Sequence, residues 1–320
     1  MSRKLAIVGV GAWGINHVKV ATKLRALGII DDIVAMDVLE ERARYVSRLY
    51  GVSYTTDLDT ILRDDGIQAA IVAVPTSYHY EVASKLLDSG KHVLVEKPIT
   101  GDSSRARDLI DIAKRNNRIL GVGFLLRYSP AVHYVRNKIL GGTRRQQIFS
   151  LQAERLNPKD GRKYDIGVVM DLMIHDIDLS MFLFDAKPLR VYAQGKEVGG
   201  LDMSVMAMVE YKVGNNEFCS VFEASRMAPQ KVRRTKIFLE DTIVLMDLAR
   251  HTLEILHEES TLKPNIGPAD PLFEEDKNFI MAVFEGEKLL VDAQDCIGAL
   301  VICEGILESM RSGNIVGVRV

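Results

Sequence analysis

The sequence predicts an α/β fold in two parts: an N-terminal parallel sheet flanked by helices, and a C-terminal α+β domain with a largely antiparallel, open sheet. Up to residue 122, short apolar runs alternate with helix-like segments, which is the pattern of βαβ units. Over residues 189–247, apolar runs follow one another without helices, which favours an antiparallel or mixed sheet. The 320 residues exceed one ordinary core, so we expect two domains, residues 1–122 and 123–320.

The N-terminal elements are predicted from apolar runs and from the residues that end them. The run IQAAIVAV is a buried strand stopped by Pro75, and the helix that follows it ends at Ser89-Gly90. The predicted strands are Leu5–Val10, Ile33–Met36, Ile67–Val74, His92–Val95 and Ile119–Val122. The predicted helices are Trp13–Leu27, Leu39–Tyr50, Ser77–Asp88 and Ser103–Asn116.

The C-terminal elements follow a different rhythm, with strands joined by turns. Helices are predicted over 130–140, 168–184 and 292–311. The turn VGNN at 213–216 is typical of a hairpin. The predicted strands are Leu189–Gln194, Ser204–Tyr211, Glu217–Glu223, Lys236–Leu239 and Ile243–Asp247.

Composition excludes several classes of protein. Hydrophobic residues make up 47% and charged residues 26%, and the net charge is −2, which argues against a nucleic-acid or membrane surface. No apolar stretch approaches the roughly 18 residues that span a bilayer, and glycines break the first apolar run too early for a secretory signal. The three cysteines lack CxxC spacing, which favours a reducing, cytoplasmic location.

The run GVGAWG follows the first predicted strand and opens the first predicted helix. In that context its spacing predicts a dinucleotide site. Gly9 permits the tight turn, Gly11 lets a pyrophosphate approach the backbone, and Gly14 lets the helix pack on the strand. Ala12 and Trp13 lie at the helix N-terminus, whose free N–H groups attract an anion. A flexible turn is the alternative.

Asp37 ends the second predicted strand, at the position that contacts the adenosine ribose in such sites. Its carboxylate can accept hydrogen bonds from the ribose hydroxyls and would repel a 2′-phosphate. The sequence therefore predicts NAD rather than NADP. The alternative is that Asp37 only caps the helix that begins at Leu39.

Lys97 follows the strand His92–Val95, at the edge of the parallel sheet where ligands bind. Pro98 keeps Lys97 out of the helical backbone region. A lysine at this edge can reach a substrate hydroxyl beside the nicotinamide, which makes Lys97 a candidate site residue. A solvated lysine before an ordinary turn proline is the alternative.

A narrow polar stripe marks the predicted helix over 168–184, which is otherwise apolar. At about 100° per residue, Asp171, His175 and Asp178 share one face, whereas Asp176 points elsewhere and is interpreted as structural. Burying such side chains without partners is costly, so the stripe is expected to face partners, a cavity or a ligand.

Three interpretations of this stripe are open. His175 can act as a general base, because histidine titrates close to working pH. Asp171 and His175 can share a metal ion at their i, i+4 spacing. The polar side chains can also satisfy one another in a structural network.

Three motifs together resemble the Gfo/Idh/MocA family, which includes glucose–fructose oxidoreductase and inositol dehydrogenase. They are GVGAWG at 9–14, VAVPTSYH at 72–79 and VEKP at 95–98, and the resemblance covers essentially the whole chain. It implies a Rossmann domain that binds NAD, followed by a substrate-binding and oligomerisation domain. It also implies a dehydrogenase that acts on a CH–OH group and assembles as a homodimer or homotetramer.

The resemblance also implies roles for individual residues. Glu96 and Lys97 belong to the Glu-Lys-Pro motif, whose lysine helps to bind substrate and cofactor. The family's pattern of aspartate, histidine four residues later and a further aspartate matches Asp171, His175 and Asp178. This implies that Lys97, Asp171 and His175 are catalytic, that His175 removes the hydroxyl proton, and that no metal is needed. The cofactor-lining segment corresponds to Val74, Pro75, Thr76 and His79.

The substrate is indicated by the segment 154–165, which is expected to be a basic loop. Arg155 and Arg162, with Arg127 and Tyr128, can bind an anionic group such as a diphosphate. A solvated charged loop is the alternative. With the run DIGVVMDLMIHDIDL, this segment is most similar to nucleotide-sugar 3-dehydrogenases that act on UDP-N-acetylglucosamine. An inositol or simple-sugar dehydrogenase is the close alternative, and a non-catalytic NAD-binding sensor is an alternative of another class.

Overall fold

The computed structural model describes residues 3–161, 164–268 and 270–319. The chain divides into two compact units. The first comprises the residues up to Leu125 together with Asp270–Cys296, and the second comprises the remainder. The domain boundary expected from the sequence, at residue 122, lies close to Leu125, where the first part of the first unit ends. The sequence did not predict that Asp270–Cys296 also belongs to the first unit.

The first unit is built on a six-stranded sheet whose neighbouring strands are all parallel, and this confirms the predicted parallel sheet. Its strands are β1 (Lys4–Val8), β2 (Asp32–Met36), β3 (Ser53–Thr55), β4 (Ile67–Val72), β5 (His92–Glu96) and β6 (Leu120–Gly123). They lie in the order β3-β2-β1-β4-β5-β6. The order therefore reverses between β1 and β4, which is the point where open parallel sheets bind ligands. The short edge strand β3 was not predicted.

Five helices connect these strands. They are α1 (Gly14–Ala26), α2 (Glu40–Tyr50), α3 (Leu58–Arg63), α4 (His79–Asp88) and α5 (Ser103–Arg115). Local chemistry sets several of their ends. Asp57 and Asp102 accept backbone N–H groups at the starts of α3 and α5, and Gly51, with a φ of 60°, ends α2.

The second unit is built on a nine-stranded sheet. Its strands are β7 (Ile148–Pro158), β8 (Lys187–Val198), β9 (Leu201–Val213), β10 (Asn216–Ala228), β11 (Val232–Leu239), β12 (Ile243–Asp247), β13 (Thr252–Leu256), β14 (Thr261–Leu262) and β15 (Val316–Gly317). The order is β14-β13-β12-β11-β7-β10-β9-β8-β15. Only β7 and β10 pair in parallel, and the other neighbours are antiparallel, which confirms a largely antiparallel sheet.

Strand β7 lies in the middle of this sheet, although no strand was predicted there. The expected loop over 154–165 is wrong for its first five residues, because Glu154–Pro158 continue β7. Leu151, Ala153 and Arg155 alternate as buried residues along the strand. The charged side chains made a buried central strand resemble a solvated loop.

The remaining helices are α6 (Pro130–Tyr134), α7 (Ile174–Phe184), α8 (Pro271–Glu285) and α9 (Ala293–Ser312). A π-helical turn, Val169–Met173, leads directly into α7, so the helix predicted over 168–184 begins with wider winding. Within the described ranges, no helix has the length and apolar character needed to cross a bilayer.

Helix α8 packs into the core of the first unit. Phe279 and Ile280 are fully buried in the same cluster as Leu5 and Ile7 of β1 and Leu24 of α1. The sequence predicted no helix over 271–285, where α8 lies. Burial of these apolar side chains explains why a segment so late in the chain belongs to the first unit.

Candidate active site

The glycine loop joins the carboxyl end of β1 to α1, where the strand order reverses. Gly9 has a φ of 87°, and a Cβ on it would lie 2.8 Å from the Ala73 backbone. A Cβ on Gly14 would lie 1.8 Å from the Gly9 carbonyl oxygen, so the fold itself requires both glycines. A Cβ on Gly11 would meet only the Arg42 guanidinium, at 3.5 Å. The Gly11 backbone is thus open to a pyrophosphate.

Ala12 and Trp13 complete this loop and are exposed. Trp13 directly precedes α1, and its indole Nε1 donates a hydrogen bond to Glu96 Oε1 at 2.6 Å. The loop is thereby tied to the end of β5, two strands away in the sheet.

Asp37 follows β2 and is buried beside the glycine loop. Its carboxylate accepts the backbone N–H groups of Val10, at 3.1 Å, and Leu39, at 3.0 Å. It also pairs with Arg42, at 3.2 Å. Leu39 is the residue that flanks the start of α2, and that helix has no side-chain cap, so Asp37 does not cap it. The carboxylate lies at the end of β2, at the edge where open parallel sheets bind ligands.

The loops after β4 and β5 are joined by His79. This histidine is 1% exposed, and its ring nitrogens lie 2.8 Å from the Pro98 carbonyl oxygen and 2.9 Å from the Val74 carbonyl oxygen. A neutral imidazole has one N–H group, so it can donate a hydrogen bond to only one of these two carbonyl oxygens. Pro75 and the buried Thr76 lie in the first of these loops, so the predicted cofactor-lining segment is held at the ligand edge of the sheet.

Glu96 ends β5 at the same edge, and Lys97 follows it directly. Glu96 is 6% exposed, whereas Lys97 is partly exposed. The Lys97 backbone N–H donates to Glu96 Oε2 at 3.1 Å. The Lys97 side chain thus starts from the carboxyl end of a parallel strand, as the sequence predicted.

The second unit contains the other candidate catalytic residues, on the helix that begins at Val169. Asp171 lies in the π-helical turn and His175 in the first turn of α7. Both are partly exposed, whereas the three residues between them are buried. They are therefore the polar groups of this helix that a substrate can reach.

Asp202, on strand β9, holds the start of this helix in place. Its carboxylate accepts the Val169 N–H at 2.7 Å, as a cap would. A Cβ on Gly167 would lie 1.6 Å from the Asp202 carboxylate, so glycine is needed for this approach. Burial raises the pKa of Asp202.

Arg226, on β10, was not identified from the sequence. It is 2% exposed, pairs with Asp171, and donates to the Ile166 carbonyl oxygen at 2.9 Å. Its guanidinium carbon lies 3.5 Å from the Tyr164 ring centroid. No motif marks Arg226, because an arginine on a strand ordinarily indicates an exposed position.

The predicted polar stripe divides into two environments. Asp178 is 1% exposed and accepts two hydrogen bonds from Arg127, at 2.6 and 3.0 Å. Asp176, interpreted as structural, accepts two from Arg155, at 2.6 and 2.7 Å. Asp178 therefore faces a buried arginine partner, whereas Asp171 and His175 remain partly exposed.

The other residues assigned to substrate binding are placed as follows. Arg127 and Tyr128 lie in a short 3₁₀ helix and are both buried. Arg127 and Arg155 are each occupied by a carboxylate of the same unit. Arg162 lies outside the described residues. Among the residues that are described, no cluster of three or more His, Cys, Asp or Glu side chains could hold a metal ion.

The parallel sheet, with its open glycine loop and a buried carboxylate at the end of β2, is that of a nicotinamide-dependent dehydrogenase. Residues 3–124 match the family described as "Oxidoreductase family, NAD-binding Rossmann fold". Residues 132–244 match the GFO/IDH/MocA C-terminal domain. The chain belongs to the Gfo/Idh/MocA oxidoreductase family, and NAD is its cofactor.

Two relatives, one of them with a solved structure, illustrate the range of this family. The UDP-N-acetylglucosamine 3-dehydrogenase of Acidithiobacillus ferrooxidans is 31% identical over 95% of this chain and 92% of its own. A solved structure of that enzyme superposes with a TM-score of 0.86 at 28% identity, covering 98% of this chain and 99% of its own. The scyllo-inositol 2-dehydrogenase (NAD(+)) of Bacillus subtilis is 28% identical over 79% of this chain and 76% of its own.

Proposed function

We propose that the protein oxidises a secondary alcohol of a sugar or nucleotide sugar, with UDP-N-acetylglucosamine, oxidised at its 3-hydroxyl, as the preferred candidate. The observation that carries the reaction type is the pair Asp171 and His175, which are partly exposed on a helix whose other polar side chains, Asp176, Asp178 and Ser180, are buried. Arg226 pairs with Asp171 and orients it. This arrangement supports the catalytic interpretation of the stripe over the metal and structural ones.

His175 takes the proton of the substrate hydroxyl as general base. Asp171 and Lys97 hold the alcohol and stabilise the polar transition state through prior positioning. NAD, when bound, would supply the hydride acceptor, and Gly11 and Asp37 would hold its pyrophosphate and ribose.

The substrate is proposed from the relatives. The most extensive similarity described above is to an enzyme named for UDP-N-acetylglucosamine, and it covers nearly the whole of both chains. One observation favours a second candidate, an inositol or simple sugar. Arg127 and Arg155, the arginines expected to bind a diphosphate, are paired with Asp178 and Asp176.

A substrate panel separates the two candidates. We expect UDP-N-acetylglucosamine to raise the melting temperature in the presence of NAD and to reduce NAD, because a ligand of the folded state stabilises it. Stabilisation and turnover with inositols or free sugars, but not with the UDP-sugar, would replace the nucleotide sugar with the second candidate.

The role of His175 is tested by His175→Asn. Asparagine fills similar space and forms hydrogen bonds but cannot take a proton near neutral pH. We expect folding and NAD affinity to persist and kcat to fall roughly 10²–10⁴-fold, the usual effect of a general base. Wild-type kcat/KM for oxidation should rise with pH through one ionisation that the variant lacks.

The matched control is His251→Asn, an exposed histidine in a turn of the same unit. A His175→Asn protein that retains both its rate and its pH dependence would refute the general-base role. A protein with a lower melting temperature but normal activity per folded molecule would instead support the structural interpretation.

A further inference from the structure

A chain of four polar side chains runs through the first unit, from α8 to the glycine loop. Both carboxylate oxygens of Asp276 contact His17 Nδ1, at 2.9 and 3.0 Å. His17 Nε2 lies 3.0 Å from Glu96 Oε1, the oxygen that also accepts the Trp13 indole N–H. Asp276 and His17 are fully buried. No motif of the sequence marks either of these two residues.

The partners of His17 define its charge. Two buried carboxylates on either side of one imidazole favour the imidazolium, which has an N–H group for each. Burial alone would lower the pKa of His17, but Asp276 and then Glu96 raise it well above its ordinary value. Burial would raise the pKa of Glu96, but His17, followed by Lys97 and Trp13, lowers it. The imidazolium therefore compensates charge that would otherwise be buried without a partner.

Glu96 connects this buried charge to the ligand edge of the sheet. Its Oε1 accepts from His17 and Trp13, and its Oε2 accepts the Lys97 backbone N–H. Gly123 on β6 makes room for the carboxylate, since a Cβ there would lie 2.8 Å from Oε1. Both oxygens are thus bound to groups at the cofactor edge.

We propose that Asp276 and His17 are positioning residues that act through Glu96. They hold the Trp13 indole and the Lys97 backbone in the geometry that binds NAD. Only the consequence for Lys97 rests on the function proposed above. The cofactor site thereby extends to a residue of α8 that lies 259 positions from His17 along the chain.

The test uses Trp13, the only tryptophan of the chain, as a reporter in the intact protein. Asp276→Asn keeps the size of the side chain but removes the charge that stabilises the His17 cation. We expect the Trp13 emission spectrum to change as its bond to Glu96 loosens. NADH should bind roughly tenfold to a hundredfold more weakly, the usual effect of losing a hydrogen bond to a charged group.

The matched control is Asp270→Asn. Asp270 caps the same helix α8 and pairs with Lys23 of α1 at 2.8 Å, but this pair is exposed. Asparagine also caps helices, so the fold is retained. Asp270 acts on Asp276 only through its charge and takes no part in the bonds that join Asp276, His17 and Glu96. The control should therefore leave Trp13 emission and NADH affinity close to their wild-type values.

A pH titration of the wild type gives a second measurement that does not depend on the folding of Asp276→Asn. His17 faces the carboxylates of Glu96 and Asp276. The charge of Lys97 lowers the pKa of Glu96, and the charge of Asp270 raises the pKa of Asp276. The stability that His17 contributes is complete below histidine's ordinary pKa and is lost as pH rises through the raised pKa. Trp13 emission should therefore change through one ionisation well above pH 6.5, and His17→Gln should lack this change.

Two outcomes would overturn the proposal. One is a lower melting temperature in Asp276→Asn with unchanged Trp13 emission and NADH affinity, which would show a purely structural pair. The other is the same alkaline Trp13 transition in wild type and His17→Gln. Because neither measurement includes a sugar, failure of the proposed substrate or of His175 as base would leave both results interpretable.

Discussion

Arginine–aspartate pairs hold the buried carboxylates of the helix that carries His175. Asp176 and Asp178 each accept two hydrogen bonds from one arginine. Removing one partner of such a buried pair leaves an uncompensated charge and costs about 3–5 kcal/mol. An Arg155 substitution therefore tests the stability of the second unit before it tests diphosphate binding, and the substrate panel is the better probe of the ligand.

Asp37→Ser is expected to narrow the preference for NAD over NADP. In the wild type the carboxylate would repel a 2′-phosphate and it pairs with Arg42, whereas in the variant Arg42 can bind the phosphate. The ratio of kcat/KM for NAD to that for NADP should fall by roughly tenfold or more. The control is Asp32→Ser at the other end of β2. A wild type that prefers NADP would show that Asp37 does not face the ribose.

Strand β5 carries Glu96 at one end and His92 at the other. His92 Nδ1 accepts the Ile119 N–H at 2.9 Å, and the Arg118 guanidinium lies 3.2 Å from Nε2. Burial, and then the charge of Arg118, lower the pKa of His92 to about 4. Protonation would break the bond to Ile119, so the anchoring of β5 beside β6 is sensitive to acid.

The free energy of unfolding is expected to fall as pH falls from about 6.5 to about 4. In this range the unfolded state binds a proton at His92 and the native state does not, so the free energy of unfolding rises with pH. The contribution of His92 to that free energy is fully present above pH 6.5. Denaturant unfolding across this range measures the slope. His92→Asn should make the free energy of unfolding depend less steeply on pH. Arg118→Met removes the neighbouring charge, so it should raise the pKa of His92 and narrow the pH range over which stability is lost. An unchanged slope in both variants would contradict the prediction.

At the scale of the whole molecule, the nine-stranded sheet leaves apolar side chains exposed on one face. Met206 and Met208 on β9 are 55% and 49% exposed. On the neighbouring strand β10 they lie opposite Glu223 and Val221, which are also partly exposed. Such a surface is typical of a contact with another chain, and a second copy of this chain is the partner that the family resemblance implies.

A double variant, Met206→Glu with Met208→Glu, is therefore expected to shift an oligomer to the monomer. The charges would be buried without partners in a symmetric contact, whereas the monomer leaves them in water. Light scattering coupled to size exclusion measures the mass of each species. Ile315→Glu, an exposed apolar site outside the strands, is the control. A wild type that is monomeric at all concentrations would refute this assembly.

The sequence by itself determined the two-part fold and the cofactor. Short apolar runs, helix ends and the glycine spacing act over a few residues, and backbone geometry restricts what each can form. Gly9 and Gly14 are required where a Cβ would collide with nearby backbone, which is why their spacing predicts a specific loop. The parallel sheet and the NAD-binding domain follow from these local constraints.

Only the tertiary structure decided which charged side chains are buried and what they bind. Arg226 meets Asp171 across 55 residues, and Asp276 meets His17 across 259. The neighbouring residues in the sequence do not show whether a charged side chain is solvated or buried in an ion pair. Arg155 was therefore predicted to lie in a solvent-facing loop, although it lies on β7 and pairs with Asp176. Chain folding brings these charges together, and the cost of burying them unpaired determines their partners.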